Sequence, residues 1–260
     1  MNSSSNLGAL KASLFLCEYC AQAYADESEL QAFINLFEQG RIIEVDNQLC
    51  FVVRNPGFVA VIFRGTDSDS LRDWFDNAKA VLETSLDGRV HRGYKEVSQS
   101  LYRPVEKAIT EFWQPDDKLY FAGHSMGAAV AALTAKTIGQ VDGVFLFGCP
   151  RFADADYCDN YFFPVYRYSV LGDPVTCVFS LFRGFRHLSS VLLLDGSDSI
   201  RAVDDYWKWI ITAKNIFDSL FREKKKLFSI AHNLLDRHDI RQSYVHHIKR
   251  IVAAQNKISP

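Results

Sequence analysis

Apolar positions change their spacing several times along this chain of 260 residues. Between residues 9 and 37 they recur at helical intervals, Leu14, Cys17, Ala21 and Tyr24 among them, and predict a helix. Leu49–Val53 and Phe58–Phe63 are short apolar runs on either side of the turn signal Asn55-Pro56-Gly57, and read as strands. The second run is apolar throughout, the pattern of a strand covered on both faces. Residues 94–113 return to helical spacing, with Val97, Leu101, Val105, Ile109 and Trp113 on one stripe. Strand and helix then alternate: Lys118–Ala122, an alanine-rich helix over Ser125–Ile138, Gly143–Phe147, Val165–Ser169 and Val191–Leu194. Such alternation predicts an α/β fold, a mostly parallel central sheet flanked by helices. Residues 202–235 depart from it, because Trp207, Trp209, Phe217 and Phe221 stand beside Lys224, Lys225 and Lys226 in an aromatic, basic helical segment. Ile240, Tyr244, Ile248 and Ile251 place a last helix. No repeat or low-complexity linker divides the chain, and residues 1–260 read as one domain.

Composition narrows the function classes. With 48% hydrophobic and 23% charged residues, the chain is neither a disordered tail nor a coiled coil. Lys and Arg number 29 against 31 Asp and Glu, a net charge of −2, so no basic nucleic-acid footprint exists. The most apolar stretch, Ala128–Phe147, is interrupted by Lys136 and Asp142 and is no bilayer span. The N-terminus lacks a basic region, and Ala12–Ala25 reads as an amphipathic helix rather than a secretory signal. The expected location is cytoplasmic, or exported without a signal of the Sec type. Six cysteines form no tight framework, and the lone pair Cys17 and Cys20 lacks the further ligands of a zinc site. Buried thiols fit a reducing compartment. Asp67–Asp73 resembles a calcium loop only superficially, lacking the glycine at its sixth position and the glutamate at its twelfth, Ala78. No metal or other cofactor is implied.

One motif carries chemistry. Gly123-His-Ser-Met-Gly127 lies where a predicted strand stops and the alanine-rich helix starts, the context of a nucleophile elbow. The glycines two before and two after are needed because a Cβ would clash in so tight a turn. The helix N-terminus sets partial positive charge beside Ser125. A serine hydroxyl needs a base, and the base an orienting acid. In the α/β-hydrolase order the acid follows the serine and the histidine comes last. Asp173, in the rigid turn Leu171-Gly-Asp-Pro-Val175, and His238, just before the last helix, suit those places. Asp195 and Asp198 are rival acids, and His187 is a rival base. The oxyanion donors would be the N–H of Met126 and a group on the loop Arg64-Gly-Thr66, where Gly65 allows close approach and Thr66 adds a hydroxyl. Leu71, Trp74 and Phe75 lie on a segment suited to cover the serine and to swing away at a lipid surface. Lys224–Lys226 beside Phe221 and Phe228 reads first as a solvated charge run, and second as a place where an anionic membrane could be touched.

Several motifs then fall in a familiar order. Ile62-Phe-Arg-Gly-Thr66, Trp74, Val90-His-Arg-Gly-Tyr94, the serine motif, Phe147-Gly-Cys-Pro-Arg151, Asp173-Pro-Val175, and His238 with Tyr244 together resemble the class 3 (fungal-type) lipase family over about residues 10–250. The resemblance implies a triad of Ser125, Asp173 and His238, a second oxyanion donor at Thr66, and a lid helix near Ser68–Ala78. It implies hydrolysis of lipid carboxylic esters through an acyl-enzyme, with a lipid or other ester as substrate and transient contact with a lipid interface. A phospholipase A1, a galactolipase or a short-chain esterase would carry the same machinery. A lipase-like protein-binding module is the alternative outside the enzymes. Oligomeric state is not legible.

Overall fold

In a computed structural model of the chain, residues 3–66, 81–177, 184–203 and 236–258 are described. The elements are α1 (Ser3–Gln22), α2 (Glu27–Ile34), β1 (Gln39–Val45), β2 (Gln48–Asn55), β3 (Phe58–Phe63), β4 (Leu82–Ser85), β5 (Gly88–His91) and α3 (Arg92–Phe112). They continue with β6 (Lys118–His124), α4 (Met126–Ile138), β7 (Gly143–Phe147), α5 (Ala155–Asp159), β8 (Val165–Val170), β9 (Val191–Leu194), β10 (Arg201–Val203) and α6 (His246–Ile258). A 3₁₀ turn, Asp236–His238, and a π-helical turn, Ile240–Val245, lead into α6.

Eight of the described strands form one sheet in the order β1-β2-β3-β6-β7-β8-β9-β10. The centre, from β3 through β6, β7 and β8 to β9, is parallel, while β1, β2 and β10 pair antiparallel at the edges. Pleating sends alternate residues of β3 and β7 into two different cores. Val59, Val61, Phe63, Val144 and Leu146 meet α3 and α4 on one face. Ala60, Ile62, Phe145 and Phe147 meet α1, α2 and α6 on the other. This is why both strands read as unbroken apolar runs. Helix α4 has no polar face over its first ten residues, all buried from Met126 to Ala135, as expected of a helix enclosed on every side.

One expectation changes. The helix expected over 9–37 is two helices, because Asp26 caps α2 by accepting from Glu29 N–H at 2.9 Å. The edge strands β1 and β10 and the hairpin β4–β5 carry no apolar run and were not anticipated. Most of the segment at 202–235 lies outside the described residues, as do Leu71, Trp74 and Phe75, the loop Asp67–Asp73 and the basic run at 224–226. Among the described residues no helix is long and apolar enough to cross a membrane.

Candidate active site

Strand β6 ends at His124 and α4 begins at Met126, leaving Ser125 alone in the bend with φ 58° and ψ −129°. That conformation is costly for a residue with a Cβ, of order 1–3 kcal/mol, and persists only where the surroundings impose it. The surroundings here are backbone. A Cβ on Gly123 would lie 2.2 Å from Gly127 O, and one on Gly127 would lie 2.4 Å from Phe63 O. The Ser125 N–H donates to Phe147 O at 2.9 Å and ties the bend to β7. The serine therefore stands at the carboxyl edge of the parallel strands, where ligands of open α/β sheets bind.

Asp173 sits in the turn after β8. Its N–H donates to Val170 O at 3.1 Å, and its Oδ1 accepts from Val175 N–H at 2.9 Å. Its backbone oxygen accepts from the Thr176 hydroxyl at 2.8 Å. The side chain is thus held before any partner reaches its other oxygen. His238 Nδ1 donates to Oδ2 at 2.9 Å, and the Tyr244 hydroxyl donates to the same Oδ2. Burial first, then the Asp173 carboxylate, push the Tyr244 phenol well above its ordinary range, so it stays a donor. Both side chains are enclosed, Asp173 at 0% and His238 at 2% exposure. With its proton on Nδ1, His238 presents a bare Nε2. That nitrogen and Ser125 Oγ are both buried, and neither has a hydrogen-bond partner among the described residues. The ring of His124, the residue before the serine, stacks on His238 with centroids 4.5 Å apart.

Thr66 and Met126, the expected oxyanion donors, are neighbours, with Thr66 Oγ1 3.5 Å from Met126 Sδ. Gly65 is what lets the loop approach: a Cβ there would lie 2.5 Å from His124 O and 2.9 Å from Ser125 Cβ. The rival groups are engaged elsewhere. His187 Nε2 bonds to Thr176 O at 3.1 Å. Asp195 holds Ser197 and Arg201, and Asp198 pairs with Arg250 at 2.8 Å. His91 packs on Tyr94 with ring centroids 4.4 Å apart, and burial pushes its pKa down to about 4.

Three residues of this site escaped sequence reasoning. Tyr24 contacts His124 and Gly65, both distant in the chain. Tyr244 stands in the sequence only as part of a motif, with nothing local to say that its hydroxyl meets Asp173. Gly148, with φ 61°, is the position where a Cβ would lie 2.8 Å from His238 Cε1. Its place directly after an apolar strand was a usable signal for a close approach.

The sequence profile described as "Lipase (class 3)" matches residues 60–182. Among solved structures, the triacylglyceride lipase of Rhizomucor miehei is similar at TM-score 0.63 and 20% identity, covering 77% of this chain and 86% of that one. The mono- and diacylglycerol lipase of Aspergillus oryzae is similar at TM-score 0.62 and 19% identity, over 76% and 86%. A lipase of Rhizopus microsporus var. chinensis is similar at TM-score 0.61 and 19% identity, over 76% and 79%. At these identities the structural likeness establishes the fold, and the profile match is confined to residues 60–182. Residues 60–182 thus carry the sequence pattern of class 3 lipases, and the mostly parallel sheet flanked by helices is the α/β-hydrolase fold of the fungal lipases.

Proposed function

We propose that Ser125 is the nucleophile, His238 its general base and Asp173 the acid that orients the base, and that Met126 and Thr66 receive the oxyanion. The observation that carries this reading is the pair of buried, unpartnered polar atoms, Ser125 Oγ and His238 Nε2, beside a made Asp173–His238 bond. Leaving polar atoms buried and unpaired costs about 1–3 kcal/mol each, which makes sense for groups reserved for a reacting molecule.

Ser125 Oγ attacks the ester carbonyl carbon while His238 Nε2 takes its proton. The imidazolium is stabilised by the Asp173 carboxylate, which keeps its own charge. The developing oxyanion faces the N–H of Met126 in the first turn of α4, with Thr66 on its other side. Collapse of the tetrahedral intermediate expels the alcohol, which receives the proton from His238. Water then attacks the acyl-enzyme through the same base and releases the acid.

The substrate is an acyl ester of a glycerolipid. The similar structures support this, one named a triacylglyceride lipase and another a mono- and diacylglycerol lipase. Leu71, Trp74 and Phe75 supply the apolar contact with a lipid interface, a reading that rests on sequence alone. The compartment is a reducing one, cytoplasmic, in keeping with the buried thiols of Cys17, Cys20 and Cys50.

A panel of triacylglycerol, diacylglycerol, phospholipid, galactolipid and p-nitrophenyl ester tests the assignment. Acylglycerol turnover that disappears in Ser125→Ala supports it. Turnover of phospholipid or galactolipid alone moves the substrate class, and no turnover of any ester leaves a protein-binding module. Trp74→Ala should slow emulsified substrate more than soluble ester, and equal effects would remove the interfacial role.

A further inference from the structure

A chain of hydrogen bonds connects the two halves of the site from behind. Gly65 N–H donates to Tyr24 Oη at 3.1 Å. Tyr24 Oη lies 2.9 Å from His124 Nδ1, and His124 Nε2 lies 2.8 Å from the backbone oxygen of His238. The direction of every bond follows from elementary chemistry. A carbonyl oxygen only accepts, so His124 carries its proton on Nε2. Burial, then the nearby His238, hold the His124 ring neutral by keeping its pKa well below the ordinary imidazole value. Its Nδ1 is therefore a bare acceptor, and the Tyr24 hydroxyl donates to it while accepting from Gly65.

We infer that Tyr24 and His124 form a positioning relay that holds the oxyanion loop at Gly65–Thr66 in fixed register with the backbone of His238. The inference rests on the triad reading above. The ends of the relay are the loop that faces the oxyanion and the residue that moves the proton, and their separation sets whether both act on one substrate carbon. A misplacement of about 1 Å in such a constellation costs roughly 100-fold in rate. Two further observations support the assignment. A Cβ at Gly65 would lie 2.5 Å from the Tyr24 hydroxyl, so the glycine makes room for the relay as well as for the serine. Tyr24 follows α1 and lies before residue 60, outside the stretch that the family profile matches. An element outside that stretch thus sets the geometry of the reacting groups, without touching substrate.

The test is steady-state kinetics of the full chain on a soluble p-nitrophenyl ester, with unfolding temperatures measured in parallel. Tyr24→Phe keeps the ring and removes the link. It should lower kcat by about 10–100-fold, with KM within about twofold and a cooperative unfolding transition retained. His124→Leu has neither ring nitrogen and breaks the same link to Tyr24. Because one chain is cut, the double variant should be no slower than the slower single, whereas independent packing losses would multiply. The relay is overturned by a Tyr24→Phe kcat within about twofold of the parent, by multiplying losses, or by a Tyr24→Phe protein that does not fold. Ser125→Ala separates the two levels. If it retains activity, the triad reading fails. If it is inactive while Tyr24→Phe is fully active, only the relay fails.

Discussion

The Tyr244 hydroxyl donates to the same oxygen of Asp173, Oδ2, that receives His238 Nδ1. The orienting carboxylate therefore accepts from two side chains on Oδ2 and from the Val175 backbone on Oδ1. Its rotation is blocked from both sides, and the imidazole inherits that alignment.

Tyr244→Phe should remove one charge-assisted hydrogen bond without opening space. Such bonds are worth about 1.5–3 kcal/mol, and part of that loss will appear in the transition state, so kcat should fall by roughly tenfold. KM on a soluble ester should stay near that of the parent. An unchanged kcat would show that Asp173 is aligned without the phenol.

Gly127 probes the elbow itself. Its missing Cβ would sit 2.4 Å from Phe63 O and 2.7 Å from Arg64 O, both backbone atoms that cannot swing aside. Gly127→Ala should lower stability by about 1–3 kcal/mol through overpacking, and should displace Ser125 enough to abolish most turnover. Urea denaturation and ester hydrolysis measure the two effects. Full activity and stability in this variant would contradict the strained bend.

Acid should weaken the fold before any carboxylate titrates. Burial, then Arg92, hold His91 at about 4, and His124 is likewise held below its ordinary value. In the unfolded chain each takes up a proton near pH 6.5. Below that pH the unfolded state binds protons that the folded state refuses, so stability present above about pH 6.5 is lost as pH falls toward 4. Denaturant midpoints between pH 7.5 and pH 5 should decline, and His91→Gln should flatten the decline. A midpoint that rises as pH falls would contradict both buried neutral rings.

The legible parts of the fold and of the site share a physical cause. Strands β3, β7 and β9 announce themselves because both faces are covered, which demands apolar side chains at nearly every position. The bend at Ser125 is legible because only glycine fits at 123 and 127. Asp173 and His238 follow from order along the chain. Strand β1 is not legible, since as an edge strand it buries only Ile43 fully. The break between α1 and α2 was readable in Asp26, which has the residue type and spacing of a helix cap. Tyr24 was beyond reach: its helical spacing marks it as core, and nothing local says that its hydroxyl meets residues 65 and 124.

Every step of the proposed reaction depends on an activated hydroxyl at Ser125. A fluorophosphonate reacts covalently with such a hydroxyl, and peptide mapping locates the adduct. A single modified residue, Ser125, is expected, with labelling absent in Ser125→Ala and slowed by orders of magnitude in His238→Ala. An adduct on another residue, or labelling of Ser125→Ala at the parent rate, would contradict it.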